Sequence, residues 1–530
     1  MHIVRIGDRS TKPHSADTIG AKAANLTRMA ALGLPVPPAF VLPIELCAAI
    51  IGKDAQAERH LRDGLKEGME FLEQTTGKRF GGRRDPLLVS VRSGAARSMP
   101  GMLDTVLDVG CTSDAVHGLI RATGRPRLAW DCRRRFLESY TETVLNFDPA
   151  PFATLLAELT ASENAASLRD LDSEALERLA TGEQALIEDL DDGWLEDATA
   201  QLDAAARAVY RSWTSERAQT YRRLQKLDDL RGTAVTVQAM VFGNGGLSSG
   251  AGVAFSRDPS TGLARPMIDI LLDAQGEDVV SGRRTPDTEA TIARSLPAIA
   301  AELGDVLKRL EREFDDVQDI EFTIEDGKLW VLQTRSAKRT PRAALRIAVD
   351  FVHEALITPA EALQRIDGIQ IDALTETRLA DTGEQLTSGI GASGGIAVGR
   401  AAFDSETAQR LAASGEPVIL MRPDTSTADV AGFAVAAGIV TAVGARTAHA
   451  ALVARQMGKP CIVGCNSMTI DVAADRALFS GATVAGGDWI SIDGDSGRIY
   501  QGRREILRTR PDAELAEIDR WRTQTAESPA

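Results

Sequence analysis

Apolar and polar positions alternate along this chain in short runs, and the spacing changes from two to three or four residues several times. Residues 438–443, Gly-Ile-Val-Thr-Ala-Val, are apolar and β-branched, the pattern of a buried strand. Residues 448–457 carry apolar side chains at helical spacing, and Gly458 and then Pro460 stop the pattern. A second short apolar run, Cys461-Ile-Val463, follows. This predicts strand, loop, helix, strand, with Thr447 able to cap the helix and His449 in its first turn. Nearer the N-terminus, residues 18–42 predict a helix ended by Gly33, then a proline-rich turn into a strand. Residues 87–93 alternate, with Val89 and Val91 on one face and Ser90 and Arg92 on the other. Residues 113–230 are charged and alanine-rich at helical spacing and predict a helical subdomain.

Residues 319–335 predict a β-hairpin with two readings. A two-residue Asp326-Gly327 turn pairs Glu325 with Lys328 and puts Glu321 and Gln333 on opposite faces. A three-residue turn, with Gly327 as its left-handed residue, pairs Ile324 with Lys328 and gathers Asp319, Glu321, Gln333 and Arg335 on one face. The second gathers oxygen ligands and a cation, and is the expectation. Residues 341–385 predict a helical connector, and 506–530 a charged helix with a frayed end.

Composition narrows the class. A 530-residue chain with 44% hydrophobic and 25% charged residues suits roughly two to four globular domains. No apolar run reaches the length of a membrane span, and the N-terminus lacks the apolar core of a signal peptide. The five cysteines are scattered without a CxxC pair, so they read as reduced thiols in a cytoplasmic protein. A net charge of −15 argues against nonspecific nucleic-acid binding. It leaves nucleotides open, because local arginines and Mg²⁺ can neutralise a phosphate chain.

The candidate chemistry follows from position. At a helix start the amides and the dipole disfavour imidazolium, so His449 is expected to be neutral and nucleophilic near pH 7. The same amides would stabilise a phosphoryl group on the ring. Lys22 follows Gly20 on a first turn that could meet a phosphate. Arg92 leads into a loop of small residues, a plausible phosphate clamp. Five glycines, among them Gly243, Gly245 and Gly246, fall within ten positions between two predicted strands. Such a loop leaves amides for a phosphate chain, although a hairpin bend explains it equally well, and it lacks the Lys-Ser/Thr of a Walker A motif.

The order Thr447-Ala-His449-Ala-Ala-Leu-Val-Ala-Arg455, followed by Gly458-Lys-Pro-Cys461, resembles the phosphohistidine segment of the pyruvate phosphate dikinase family. Phosphoenolpyruvate synthase and the first enzyme of the sugar phosphotransfer system carry similar segments. In the N-terminal half, Ser-Val-Arg92-Ser-Gly and then Ser-Met-Pro-Gly-Met with Asp104-Thr is similar to a signature of the same family, with Leu103 in place of a second methionine. The resemblance covers residues 18–505. It implies an α/β (α+β) multidomain protein. An ATP-grasp-like nucleotide-binding domain would occupy 1–340, with the helical subdomain at about 113–230. A helical linker over 341–385 would lead to a β/β/α swivelling phosphohistidine domain over 386–505, and 506–530 would be a terminal helix and tail.

The resemblance also implies roles. His449 would carry phosphate, and Thr447 matches a regulatory phosphorylation site of some members. Lys22, Arg92 and Arg335 would contact phosphate; Gly243, Gly245 and Gly246 would cover the nucleotide, with Glu277 nearby. Glu321 and Gln333 would bind the Mg²⁺–ATP complex. The usual Gly-Gly-Met-Thr-Ser-His is altered at Ala445, Arg446 and Ala448, and Arg446 puts a charge beside the nucleophile that either helps hold phosphate or marks a changed partner. The implied reaction is attack of His449 on the β-phosphoryl group of ATP, with inorganic phosphate taking the γ-phosphoryl group. In full-length members a (β/α)₈ barrel binds pyruvate or phosphoenolpyruvate. Such a barrel needs about 200 residues, and only 25 lie beyond position 505. The expected acceptor is therefore pyruvate on a separate barrel subunit, or another acceptor. No nucleic-acid or membrane partner is expected, and a homodimer is left open. The alternative is an ATP-binding regulatory protein without turnover.

Overall fold

The computed structural model describes residues 3–7, 11–97, 99, 102–190, 193–280, 287–370, 375–380, 385–424, 429–444, 446, 448–479 and 481–527. The chain divides into two units, Met1–Gly245 with Trp330–Thr334, and Gly246–Leu329 with Arg335–Ala530.

The first unit is built on a five-stranded antiparallel sheet in the order Val4–Ile6, Ala39–Leu42, Thr233–Ala239, Val89–Ala95, Thr105–Val109. Every residue of Thr233–Ala239 is buried, and in Val89–Ala95 only Arg92 interrupts the burial. The predicted helical stretch forms helices from Ser113–Thr123 to Glu216–Leu224. Thr112, Asp172, Asp197 and Ser215 each accept a hydrogen bond from a first-turn amide, which is why helices start where they do. Phe136, Tyr140 and Trp194 pack together in the core, with the Tyr140 and Trp194 rings stacked at 4.4 Å.

The second unit opens with an antiparallel sheet in the order Asp287–Thr288, Met267–Leu272, Gly250–Phe255, Gln318–Glu325, Lys328–Ser336, the last strand having Trp330–Thr334 counted with the first unit. The turn between the last two strands departs from expectation. Asp326 and Gly327 have φ of +48° and +74°, a two-residue turn of the primed type, whose twist matches that of the strands. The three-residue turn is not formed. The register nevertheless slips by one residue further along. Unbroken pairing from this turn would set Ser336 opposite Val317, but Ala337 N donates to Val317 O at 2.8 Å. Arg335 Nε likewise donates to Asp319 Oδ2 at 2.8 Å. Asp319 and Arg335 thus meet across the hairpin through an added residue rather than through the expected turn.

An eight-stranded sheet follows, in the order Gln385–Ser388, Arg498–Gln501, Trp489–Asp493, Ile396–Ala402, Val418–Arg422, Gly438–Thr441, Cys461–Val463, Ile390–Ser393. Its middle, from Ile396–Ala402 to Cys461–Val463, is parallel, and the helices Ser405–Ala413, Val430–Val435 and His449–Gln456 lie in its crossovers. The chain is thus a mixed α/β multidomain protein.

The connector is not purely helical. After Pro341–His353 and Pro359–Arg365, its strand Glu376–Leu379 pairs antiparallel with Ile506–Thr509. The C-terminal helix is formed over Asp512–Glu527, and it is docked. Leu515, Ile518 and Trp521 lie on one helical face and are buried with Leu345 and Phe351. The charged residues between them mask this stripe in the sequence. All five cysteines are buried free thiols. Among the described residues no helix is long and apolar enough to cross a membrane.

Candidate active site

In the first unit, Ala21–Ala31 starts directly after Gly20, which has φ of +81°. A Cβ on Gly20 would lie 2.1 Å from the Gly94 carbonyl oxygen, so only glycine lets this helix start reach the strand Val89–Ala95. Lys22 in the first turn and Arg92 in the strand are therefore carried on touching elements, and both are half-buried. Two cations beside a helix start suit a phosphate group.

The glycine-rich loop is more constrained than its composition suggests. Gly243 and Gly245 are buried, and between them Asn244 Nδ2 donates to Asp131 Oδ2 at 2.8 Å. Asp131 sits on the helix Pro126–Leu145, 4% exposed. Burial pushes its carboxyl up, but Arg135 and Arg134 outweigh this and hold it well below the usual carboxylate range. Asp131 is a positioning residue that sequence reasoning missed. The signal was there: an aspartate three and four residues before two arginines of one helix. In the second unit Gly246 N donates to Asp273 Oδ1 at 2.9 Å, so this amide is committed and not left for a phosphate chain. Gly327 N donates to Ser248 O at 2.8 Å, tying the loop to the hairpin turn.

Glu277 is exposed on the short helix Gly276–Val280. Asp319, Glu321 and Arg335 come together on the hairpin. Burial raises the Asp319 carboxyl, Arg335 opposes this, and the Glu321 charge adds to it. Asp319 Oδ1 is buried with no hydrogen-bond partner among the described residues. Gln333 is buried and belongs to the first unit. Among the described residues no cluster of three or more His, Cys, Asp or Glu could hold a metal by itself. Two adjacent carboxylates with an orphaned oxygen fit Mg²⁺, which takes one or two carboxylates and completes its shell with phosphate and water.

Around His449 the predicted order holds: Gly438–Thr441, loop, His449–Gln456, then Gly458 at φ +64° and Cys461–Val463. The cap does not. The capping position is Ala448, which makes no side-chain capping bond, so His449 is itself the first helical residue. Ala445, Thr447 and the His449 ring lie outside the described residues. Arg446 turns away from any phosphate role: its guanidinium pairs with Asp269, its amide donates to Asp269 Oδ2 at 3.2 Å, and its Nε donates to Gly391 O at 3.2 Å. Arg455 donates to Ala392 O at 2.8 Å and to the Arg446 carbonyl. Asp269, 1% exposed, lies in Met267–Leu272, two strands from the one carrying Asp319 and Glu321.

Breaking this pair has a computable consequence. Arg446→Met leaves a buried, uncompensated carboxylate and is expected to destabilise the second unit by about 3 kcal/mol at neutral pH. Adding Asp269→Asn should recover much of that. Burial already places the folded Asp269 pKa above its unfolded value, against the pull of Arg446. Ionising it therefore costs stability as pH rises through the folded pKa, and losing Arg446 raises that pKa further. The deficit of Arg446→Met should be full at neutral pH and close as the pH falls and Asp269 takes up a proton. Urea unfolding at several pH values checks this; a deficit independent of pH would refute it.

Comparison with known proteins agrees with this arrangement. The family model for the pyruvate phosphate dikinase AMP/ATP-binding domain matches residues 53–302 and 296–355, more than half of the chain. The mobile domain of PEP-utilising enzymes matches residues 414–497, which hold Arg446 and His449. The pyruvate, phosphate dikinases of Clostridium symbiosum and Rhizobium meliloti are each 40% identical, over 95% and 97% of this chain. The chloroplastic pyruvate, phosphate dikinase 1 of Arabidopsis thaliana is 38% identical over 95%. These matches take in 58%, 59% and 53% of the relatives, so the chain spans less than two thirds of their length. With both its nucleotide-binding part and its phosphohistidine part matched in order, the chain belongs to the pyruvate phosphate dikinase family.

Proposed function

We propose that the chain is an ATP-dependent phosphotransferase that phosphorylates its own His449. The observation that carries this reading is the tie between Arg446 and Asp269, which holds the histidine-bearing loop against the sheet that carries Asp319, Glu321 and Arg335. Residues 1–340 act as an ATP-grasp-like nucleotide-binding domain with a helical subdomain over 113–230. Residues 341–385 link it to the phosphohistidine domain, 386–505, and 506–530 close the chain. Lys22, Arg92 and Arg335 bind phosphate groups, and the loop with Gly243, Gly245 and Gly246 covers them, near Glu277. Glu321 and Gln333 hold Mg²⁺, which offsets the charge of the phosphate chain.

The neutral His449 ring forms an N–P bond to the β-phosphorus as the bond to the α-phosphate oxygen breaks, releasing AMP. Inorganic phosphate then takes the γ-phosphoryl group as pyrophosphate and leaves phospho-His449. The work of the side chains is positioning and charge neutralisation. The phosphoryl group passes to pyruvate, or another acceptor, held by a barrel outside these 530 residues. Thr447, beside the nucleophile, is the proposed point of regulation.

These steps are reversible, so with Mg²⁺ the chain alone should exchange labelled AMP into ATP through the first of them. Absence of exchange with ATP still bound would overturn the reading and leave an ATP-binding regulatory protein.

A further inference from the structure

The helix Ser173–Leu186 buries Ala175, Leu176, Leu179 and Ala180, and this apolar stripe continues onto Glu183. Glu183 is 0% exposed, and neither of its carboxyl oxygens has a hydrogen-bond donor among the described residues. A buried carboxylate in that position is costly. Its polar neighbour is a second acid. The helix Pro126–Leu145 packs along this one, and the Glu138 carboxyl lies within hydrogen-bonding reach of Glu183. Two carboxylates have no donor between them, but a single proton turns their contact into a hydrogen bond. Glu183 is the place for that proton. It is fully buried, whereas Glu138 is partly exposed and already paired with Arg134 Nη1 at 2.7 Å.

The contacts run onward from Glu138. Arg134 Nη2 donates to Asp131 Oδ1 at 2.9 Å, and Asp131 Oδ2 accepts from Asn244 Nδ2 in the glycine-rich loop. Glu183, Glu138, Arg134, Asp131 and Asn244 thus form one polar chain from a buried acid to that loop. Burial pushes the Glu183 carboxyl up to about 9; the Glu138 charge adds to this, Arg134 opposes it, and the Asp131 charge adds to it as well. The helix Ala150–Ser162 also packs against Ser173–Leu186, and its one acid, Glu158, is exposed. Glu188 and Asp189, past the end of the Glu183 helix, are exposed too.

We propose that Glu183 is a positioning residue held as a neutral acid, that its O–H donates to Glu138, and that this bond closes the polar chain fixing the glycine-rich loop, so that loss of the proton frees the loop. With the proton gone, two like charges face each other beside one guanidinium. Arg134 is then drawn toward Glu183, and its hold on Asp131, and through Asp131 on Asn244, weakens. The proton and its effect on the loop involve no nucleotide. Only the consequence for phosphate binding rests on the proposed role of that loop.

The test compares the whole chain, without ligand, with Glu183→Gln, which keeps the shape and a donor toward Glu138 but cannot titrate. In the infrared, the wild type at neutral pH should show the carbonyl stretch of a protonated carboxylic acid that the variant lacks. That band should fade as the pH passes about 9. Over the same range, amide hydrogen exchange in the peptide that holds Asn244 should quicken roughly tenfold in the wild type relative to the variant at equal pH. If Glu183→Gln does not fold, Glu183→Met removes the ionisable group and serves the same comparison. A wild type without the extra acid band at neutral pH, or loop exchange that matches the variant's at every pH, would overturn the proposal. Because no nucleotide is present, failure of the chain to bind ATP would count against the proposed function and leave this comparison intact.

Discussion

Glu321→Ala is expected to weaken the binding of Mg²⁺–ATP by roughly 2–3 kcal/mol, about 30- to 150-fold in Kd, the worth of one contact to a charged group. Two effects act together. On the proposed reading the variant removes an oxygen ligand for Mg²⁺. It also removes one of the two carboxylates that raise the Arg335 pKa against burial, and so changes the balance of charge at that guanidinium. Glu321 is only half-buried, so the substitution should leave the sheet folded. Titration calorimetry gives the affinity directly, with circular dichroism as the check on fold. Unchanged affinity in a folded variant would mean that the hairpin does not hold the metal–nucleotide complex.

Local pattern made much of this molecule legible. The strand, loop, helix and strand around His449 follow from a β-branched run, a helical apolar spacing, Gly458 and Pro460, all within 26 residues of chain, 438–463. The buried strand broken only at Arg92 is legible in the same way. What stayed hidden depends on distant residues or on small local energies. Arg446 and Asp269 are 177 residues apart, and nothing near either one marks the other. From motif position alone, Arg446 reads as a charge for phosphate; packing gives it a carboxylate instead.

The hairpin shows the second kind of difficulty. The turn sets the register of a hairpin only as far as the ladder runs unbroken. The two-residue turn won because Asp326 and Gly327 tolerate positive φ. A one-residue slip further along then brings Arg335 to Asp319, one of the contacts that the other turn would have produced. At the C-terminus, the helix Asp512–Glu527 has three apolar residues spread among charges, too sparse a stripe to predict docking until its neighbours are known.

The most direct test of the central claim is the label itself. Incubated with Mg²⁺, phosphate and ATP labelled at the β-phosphoryl group, the chain should acquire label on His449 that is lost in acid and survives alkali, as an N–P bond requires. The proposed physical basis is an imidazole at a helix start that carries no side-chain cap, where first-turn amides favour an anion. His449→Asn places an uncharged polar residue of similar size at the same position, so it should keep its fold and its affinity for ATP and lose the label entirely. Label that persists in His449→Asn, label with the stability of a phosphate ester on Thr447, or no label in a chain that binds ATP would contradict the account.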